Sequence, residues 1–135
     1  MNINVTEFLL ICGAGGVGAM ARAVCAATLT RFLHPAGAVF VINGAGSFLI
    51  GVMLGVLLVS LAPFNAASVP MSFSVLAIGV LGGFTTVSTF ALQVQLLWQE
   101  GQARAAVLTA LGSVLLCPAS AFLGVMIVSV IFEGA

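Results

Sequence analysis

Lysine, aspartate and tyrosine are absent from this 135-residue chain, and histidine and tryptophan occur once each. Charged residues make up 4% of it and hydrophobic residues 62%. Ordinary soluble domains are about a quarter charged. So few polar groups cannot cover a soluble fold of this size, which makes the chain an integral membrane protein. With no lysine, and three arginines balanced by three glutamates, there is no basic patch for nucleic acid, and no nucleic-acid motif occurs. The acids Glu7, Glu100 and Glu133 all fall near span ends or in a loop. A proton-coupled transporter usually needs an intramembrane carboxylate or histidine as relay; here the lone His34 is also in a loop. An enzyme would need a base and nucleophile, or metal ligands, and neither is visible. Cys12, Cys25 and Cys117 lie in apolar runs without a CxxC pair or a histidine partner, so they read as small packing residues. Passive conduction through neutral hydrogen-bond donors fits this inventory better than coupled transport or catalysis.

What the chain has is apolar length. About 20 apolar residues cross a bilayer as a helix. Four such runs are predicted, at about 7–30, 37–61, 71–98 and 103–132, making residues 1–135 a single all-α membrane domain. The connections RFLHPAG, APFNAASVP and WQEGQ carry the breakers Pro35, Pro63 with Pro70, and Gly101. The first run lacks a basic leader and contains Glu7 and Arg22, so it is expected to remain as a span. Arg31 and Arg104 mark one side of the membrane, and Arg22 lies in the half of helix one nearer to it. The positive-inside rule then puts both termini outside. With three charges deciding, the chain could also insert both ways. Glycine-rich stretches such as GAGGVGA (13–19) and GAGS (44–47) allow close helix contact. Four helices enclose little space, so an oligomer, most simply a dimer, is expected.

Neutral polar groups cluster inside the spans. Asn43 and Ser47 are spaced i,i+4, as are Thr109 and Ser113, so each pair shares a helix face. A line of such donors could replace the hydration shell of an anion stepwise. Each single Ser or Thr reads more readily as glue between helices. A mid-span Asn43 is costly to bury unpaired, which favours a functional role. The third run contains GGFTTVSTF (82–90), where two glycines and Thr85–Thr86 weaken the helix mid-span. Such a break is tolerated at membrane depth when buried in protein or lining a cavity, and its freed carbonyls can hold a cation. A packing kink is the other reading. Phe84 and Phe90 flank the hydroxyls, and a ring edge can face an anion.

GGVGAMAR (15–22), NGAGSFLIG (43–51), GGFTTVSTF and LWQEG (97–101) together resemble the CrcB/Fluc family of small fluoride channels. The matches follow family order on the first three spans, and the fourth fits by spacing. The resemblance implies a four-helix subunit with a broken third helix, paired in an antiparallel dual-topology homodimer in the bacterial plasma (inner) membrane. Pores along the subunit interface would let cytoplasmic fluoride leave down its gradient, giving fluoride resistance. A structural sodium ion at the dimer centre would be held by the backbone carbonyls of Gly82 and Thr85. Asn43 would be the helix-two pore donor, with Ser88 and Thr89 in the polar track and Phe90 one ring of an aromatic box. Ser113 would line the pore from helix four, and Arg22 would sit near a vestibule. Two positions depart from the pattern. Val87 stands where the family usually has a phenylalanine, and Thr109 where a pore tyrosine is often found. Some members pair different subunits, so one half of a heterodimeric channel is an alternative. A small proton-coupled cation or multidrug transporter, also a dimer of four-helix subunits, is another; it would need a glutamate inside helix one.

Overall fold

A computed structural model describes residues 4–60 and 69–133. Leu61, expected to close the second span, and Pro63 in the second connection lie outside the described residues. The described chain is helical, with four stretches long and apolar enough to cross a membrane: Val5–Leu29, Pro35–Ser60, Met71–Gln99 and Ala103–Phe132. The first two are α1 and α2.

Helix α1 starts at Val5 because Asn4 and Glu7 form a reciprocal cap. Asn4 Oδ1 accepts the Glu7 N–H at 2.9 Å, and Glu7 Oε2 accepts the Asn4 N–H at 3.1 Å. This N-x-x-E capping box satisfies two donors that a helix start leaves free. It also settles what Glu7 does. Its carboxylate caps a helix end, so it cannot be the mid-helix proton carrier that the transporter alternative requires. Pro35 opens α2, a position where its missing N–H costs nothing. His34 Nδ1 accepts the Ala36 N–H at 3.3 Å just before it.

The third stretch changes character along its length. We define α3 as Met71–Phe73, the π-helical turns Ser74–Leu81, and Gly82–Phe84. Thr85 and Thr86 then adopt extended backbone, at φ −82°, ψ 154° and φ −151°, ψ 130°. Helix α4 begins at Val87 and ends at Gln99. A Schellman turn closes it: Gly101 has φ +77°, its N–H reaches the Trp98 carbonyl, and the Gln102 N–H reaches that of Leu97. Helix α5 spans Ala103–Glu133.

Packing divides into two close pairs. Helix α1 lies against α3, and α2 lies against α5. Glycine permits both. A methyl group at Gly18 would collide with the Val80 carbonyl, and one at Gly83 with the Gly15 carbonyl. One at Gly51 would likewise strike the Ala121 carbonyl. Helix backbones in the membrane approach this closely only over small residues. Ala36, Leu97 and Ala106 form a small buried cluster where α2, α4 and α5 meet. Large apolar side chains including Phe8, Val17, Leu115 and Phe122 face outward, as a lipid-facing surface requires.

Candidate ion pathway

The extended Thr85–Thr86 segment is held from α2. Asn43 Nδ2 donates to the Thr86 carbonyl at 2.9 Å, and the Thr86 N–H donates to Asn43 Oδ1 at 3.0 Å. One side-chain amide thus engages both polar groups of one peptide residue. Thr86 in turn caps α4: its Oγ1 accepts the Thr89 N–H at 3.3 Å and lies 3.2 Å from Ser88 Oγ and 3.3 Å from Thr89 Oγ1. The Ser88, Thr89 and Thr86 hydroxyls therefore form one connected group at the start of α4.

These bonds decide the fate of two carbonyls. In a continuous helix the Gly82 carbonyl would accept from the Thr86 N–H, and that of Thr85 from the Thr89 N–H. Asn43 Oδ1 takes the first donor and Thr86 Oγ1 takes the second. No group of three or more His, Cys, Asp or Glu side chains suited to a metal is present among the described residues. A cation here would have to rest on neutral oxygens. The Gly82 and Thr85 carbonyls are two such oxygens, each without the N–H that a continuous helix would bring to it.

The polar residues sort into three places. An open groove of about 430 Å³ is lined by Asn43, Ser47 and Ile50 of α2, by Gly82, Thr85, Thr86 and Val87, and by Cys117 of α5. Val87 is 79% exposed at this groove. On the other side of Thr86, a cavity of about 20 Å³ is lined by Arg22, Ala26, Val39, Ile42, Thr86 and Thr89. That is room for about one water-sized species. Arg22 Nε is buried there without a hydrogen-bond partner. The third place is α5. Ser113 is 7% exposed, and its Oγ is buried without a partner. Thr109 lies one turn before it, half-buried. Neither lines the groove or the small cavity, so one chain does not gather all the predicted pore groups.

Phe90 is half-buried on the first turn of α4. Phe84 has a packing role: its ring and the Thr85 methyl sit over Gly46, whose missing side chain makes the room. The sequence pattern singled out Asn43, but Thr86 was not among the predicted site residues. Its sequence signal was a Thr just after the Gly82–Gly83 pair and three residues before Thr89, the residue type favoured at a helix start. Cys117, read as packing, also borders the groove.

Comparison with known proteins decides the family. The family model described as CrcB-like protein, Camphor Resistance (CrcB), matches residues 9–125. The chain belongs to the CrcB family. The chain is similar to the fluoride-specific ion channel FluC 2 of Nitrobacter hamburgensis, 38% identical over 127 residues, covering 90% of this chain and 96% of that protein. The fluoride-specific ion channel FluC of Coxiella burnetii is 36% identical over 125 residues, covering 93% and 97%. That of Phenylobacterium zucineum is 35% identical over 129 residues, covering 93% and 98%. Membership in this family, together with the four membrane-capable helices, makes the chain a multi-pass membrane protein.

Proposed function

We propose that this chain is a fluoride-selective channel that lets cytoplasmic fluoride leave the cell down its own gradient. It is a channel and not an enzyme. The observation that carries the reading is the similarity, over nearly the full length of both partners, to proteins named fluoride-specific ion channels. Its setting is the inner membrane, where such export protects the cytoplasm.

The site chemistry supports the same reading. The pathway residues Asn43, Ser88, Thr89, Phe90, Thr109, Ser113 and Arg22 offer neutral hydrogen-bond donors, an aromatic ring edge and one cation. Neutral donors can strip water from fluoride without trapping it as a fixed charge would. Arg22 shares the small cavity with Thr86 and Thr89 and would raise the anion concentration beside the track. The Gly82 and Thr85 carbonyls would hold a sodium ion, supplying fixed positive charge on the groove side of Thr86.

The groove also supports a dimer. Irregular backbone and open polar groups at membrane depth need cover by protein or a water-filled cavity. A second, antiparallel copy would cover the groove, bring the interruptions of both third spans together and add its own carbonyls to the cation site. It would also supply from another chain the pore groups that one chain leaves apart. Exposed Val87 would then lie at the subunit contact.

The reading is tested by expressing the full chain in a bacterial strain that lacks its own fluoride exporter. Growth in fluoride should recover, and sensitivity to chloride and to cationic drugs should not change. Rescue from a toxic cation with no rescue from fluoride would remove it.

A further inference from the structure

Asn43 carries a second role that its position in the pathway does not require. A side-chain amide offers one acceptor and two donor hydrogens. Here the acceptor and one donor are both spent on Thr86, at 3.0 and 2.9 Å. These are the two groups that an uninterrupted helix would satisfy along its own axis. Asn43 therefore replaces the helix's own bonding at Thr86 from a different helix, α2. Gly46, three residues further on α2, leaves space for the Thr85 methyl and the Phe84 ring. The interruption is thus seated on α2 by one polar clamp and one steric recess. A hydroxyl is too short and has too few groups to copy this. An apolar side chain of the same size would leave both Thr86 groups unpaired, and rewinding the helix would pair the freed N–H with the Gly82 carbonyl four residues back.

We infer that Asn43 is a positioning residue for the cation site: by holding the Thr86 peptide it keeps the Gly82 carbonyl free to bind a small monovalent cation. The inference rests on the reading that Gly82 and Thr85 hold such an ion. It adds a physical link between cation and anion sites, because the second Nδ2 hydrogen of Asn43 remains for the pathway. The same amide that fixes the cation's ligands faces the groove lined by Ser47 and Thr86.

The test uses the full chain, purified without sodium and titrated with sodium chloride against N-methylglucamine chloride at constant ionic strength. The readouts are melting temperature and amide hydrogen exchange across residues 82–90. A ligand that binds only the folded state raises the melting temperature with concentration. For the unaltered chain, sodium should raise the melting temperature and slow exchange at 82–90. For Asn43→Leu the sodium concentration giving half the effect should rise about tenfold or more, as expected for losing two backbone hydrogen bonds. Exchange at Thr86 should quicken while the Leu97 region keeps its protection. Asn43→Ser should move in the same direction, and serves where Asn43→Leu does not yield folded protein. Gly16→Ala, whose added methyl group meets nothing within 4 Å, should keep the original sodium midpoint. If both Asn43 variants keep that midpoint while the unaltered chain responds to sodium, the positioning role is overturned and the cation reading stands. If the unaltered chain shows no response to sodium, the cation reading falls and the inference falls with it.

Discussion

Gly18→Ala should unfold the α1–α3 contact, whereas Gly16→Ala, two residues away on the same helix, should leave the fold intact. The three atoms nearest a methyl group at Gly18 are all backbone: the Val80 carbonyl oxygen, its carbon at 2.8 Å and the Phe84 nitrogen at 3.0 Å. Backbone cannot rotate out of the way as a flexible side chain can, so the two helices must separate. Overpacking costs typically about 1–3 kcal/mol, and a clash with main chain belongs at or above the top of that range. The contact lies directly before Thr85–Thr86, so separation would also unseat the interruption. At Gly16 nothing lies within 4 Å of the added methyl group, and alanine is the better helix former by about 1 kcal/mol. Thermal unfolding in detergent checks both. A Gly18→Ala protein as stable as its parent would show that the close packing is not as described.

Ser113→Ala should separate stability from conduction. The Ser113 hydroxyl is buried and has no hydrogen-bond partner. An unsatisfied buried polar group costs about 1–3 kcal/mol, so its removal should leave the melting temperature unchanged or raised. Fluoride flux should nevertheless fall at least about tenfold, because a hydrogen bond to a charged group contributes about 1.5–3 kcal/mol. A serine that only tied helices together would behave the opposite way, losing stability and keeping flux. Parallel melting and efflux measurements on the one variant distinguish these outcomes.

Much of this arrangement is legible in the sequence, and the limits have physical causes. The four apolar runs predict the helices to within a few residues, because hydrocarbon length alone dictates them. The first begins at Val5, two residues before the predicted start, because the cap formed by Asn4 and Glu7 fixes the boundary. The run GAGGVGA announces close packing but does not distinguish Gly18, pressed on Val80, from Gly16, which faces open space. That distinction depends on how α1 is rotated against α3. The bond between Asn43 and Thr86 spans 43 positions and follows from the register of two helices, which no local pattern encodes. The π-helical turns at Ser74–Leu81 likewise have no signature in the run SVLAIGVL. Phe84 reads as a possible anion-facing ring by its place beside the hydroxyls, yet its ring packs over Gly46. Composition left the transporter alternative short of an intramembrane glutamate, and the structure places Glu7 in the capping turn of α1.

The most direct test of the central claim is fluoride efflux from liposomes that contain only this purified chain. A fluoride electrode reads the release, and chloride-loaded liposomes serve as the control. The account predicts fast efflux of fluoride, little of chloride, and no dependence on an imposed proton gradient. Folded protein in the bilayer that released no fluoride, or released it only when a proton gradient drove it, would contradict the account.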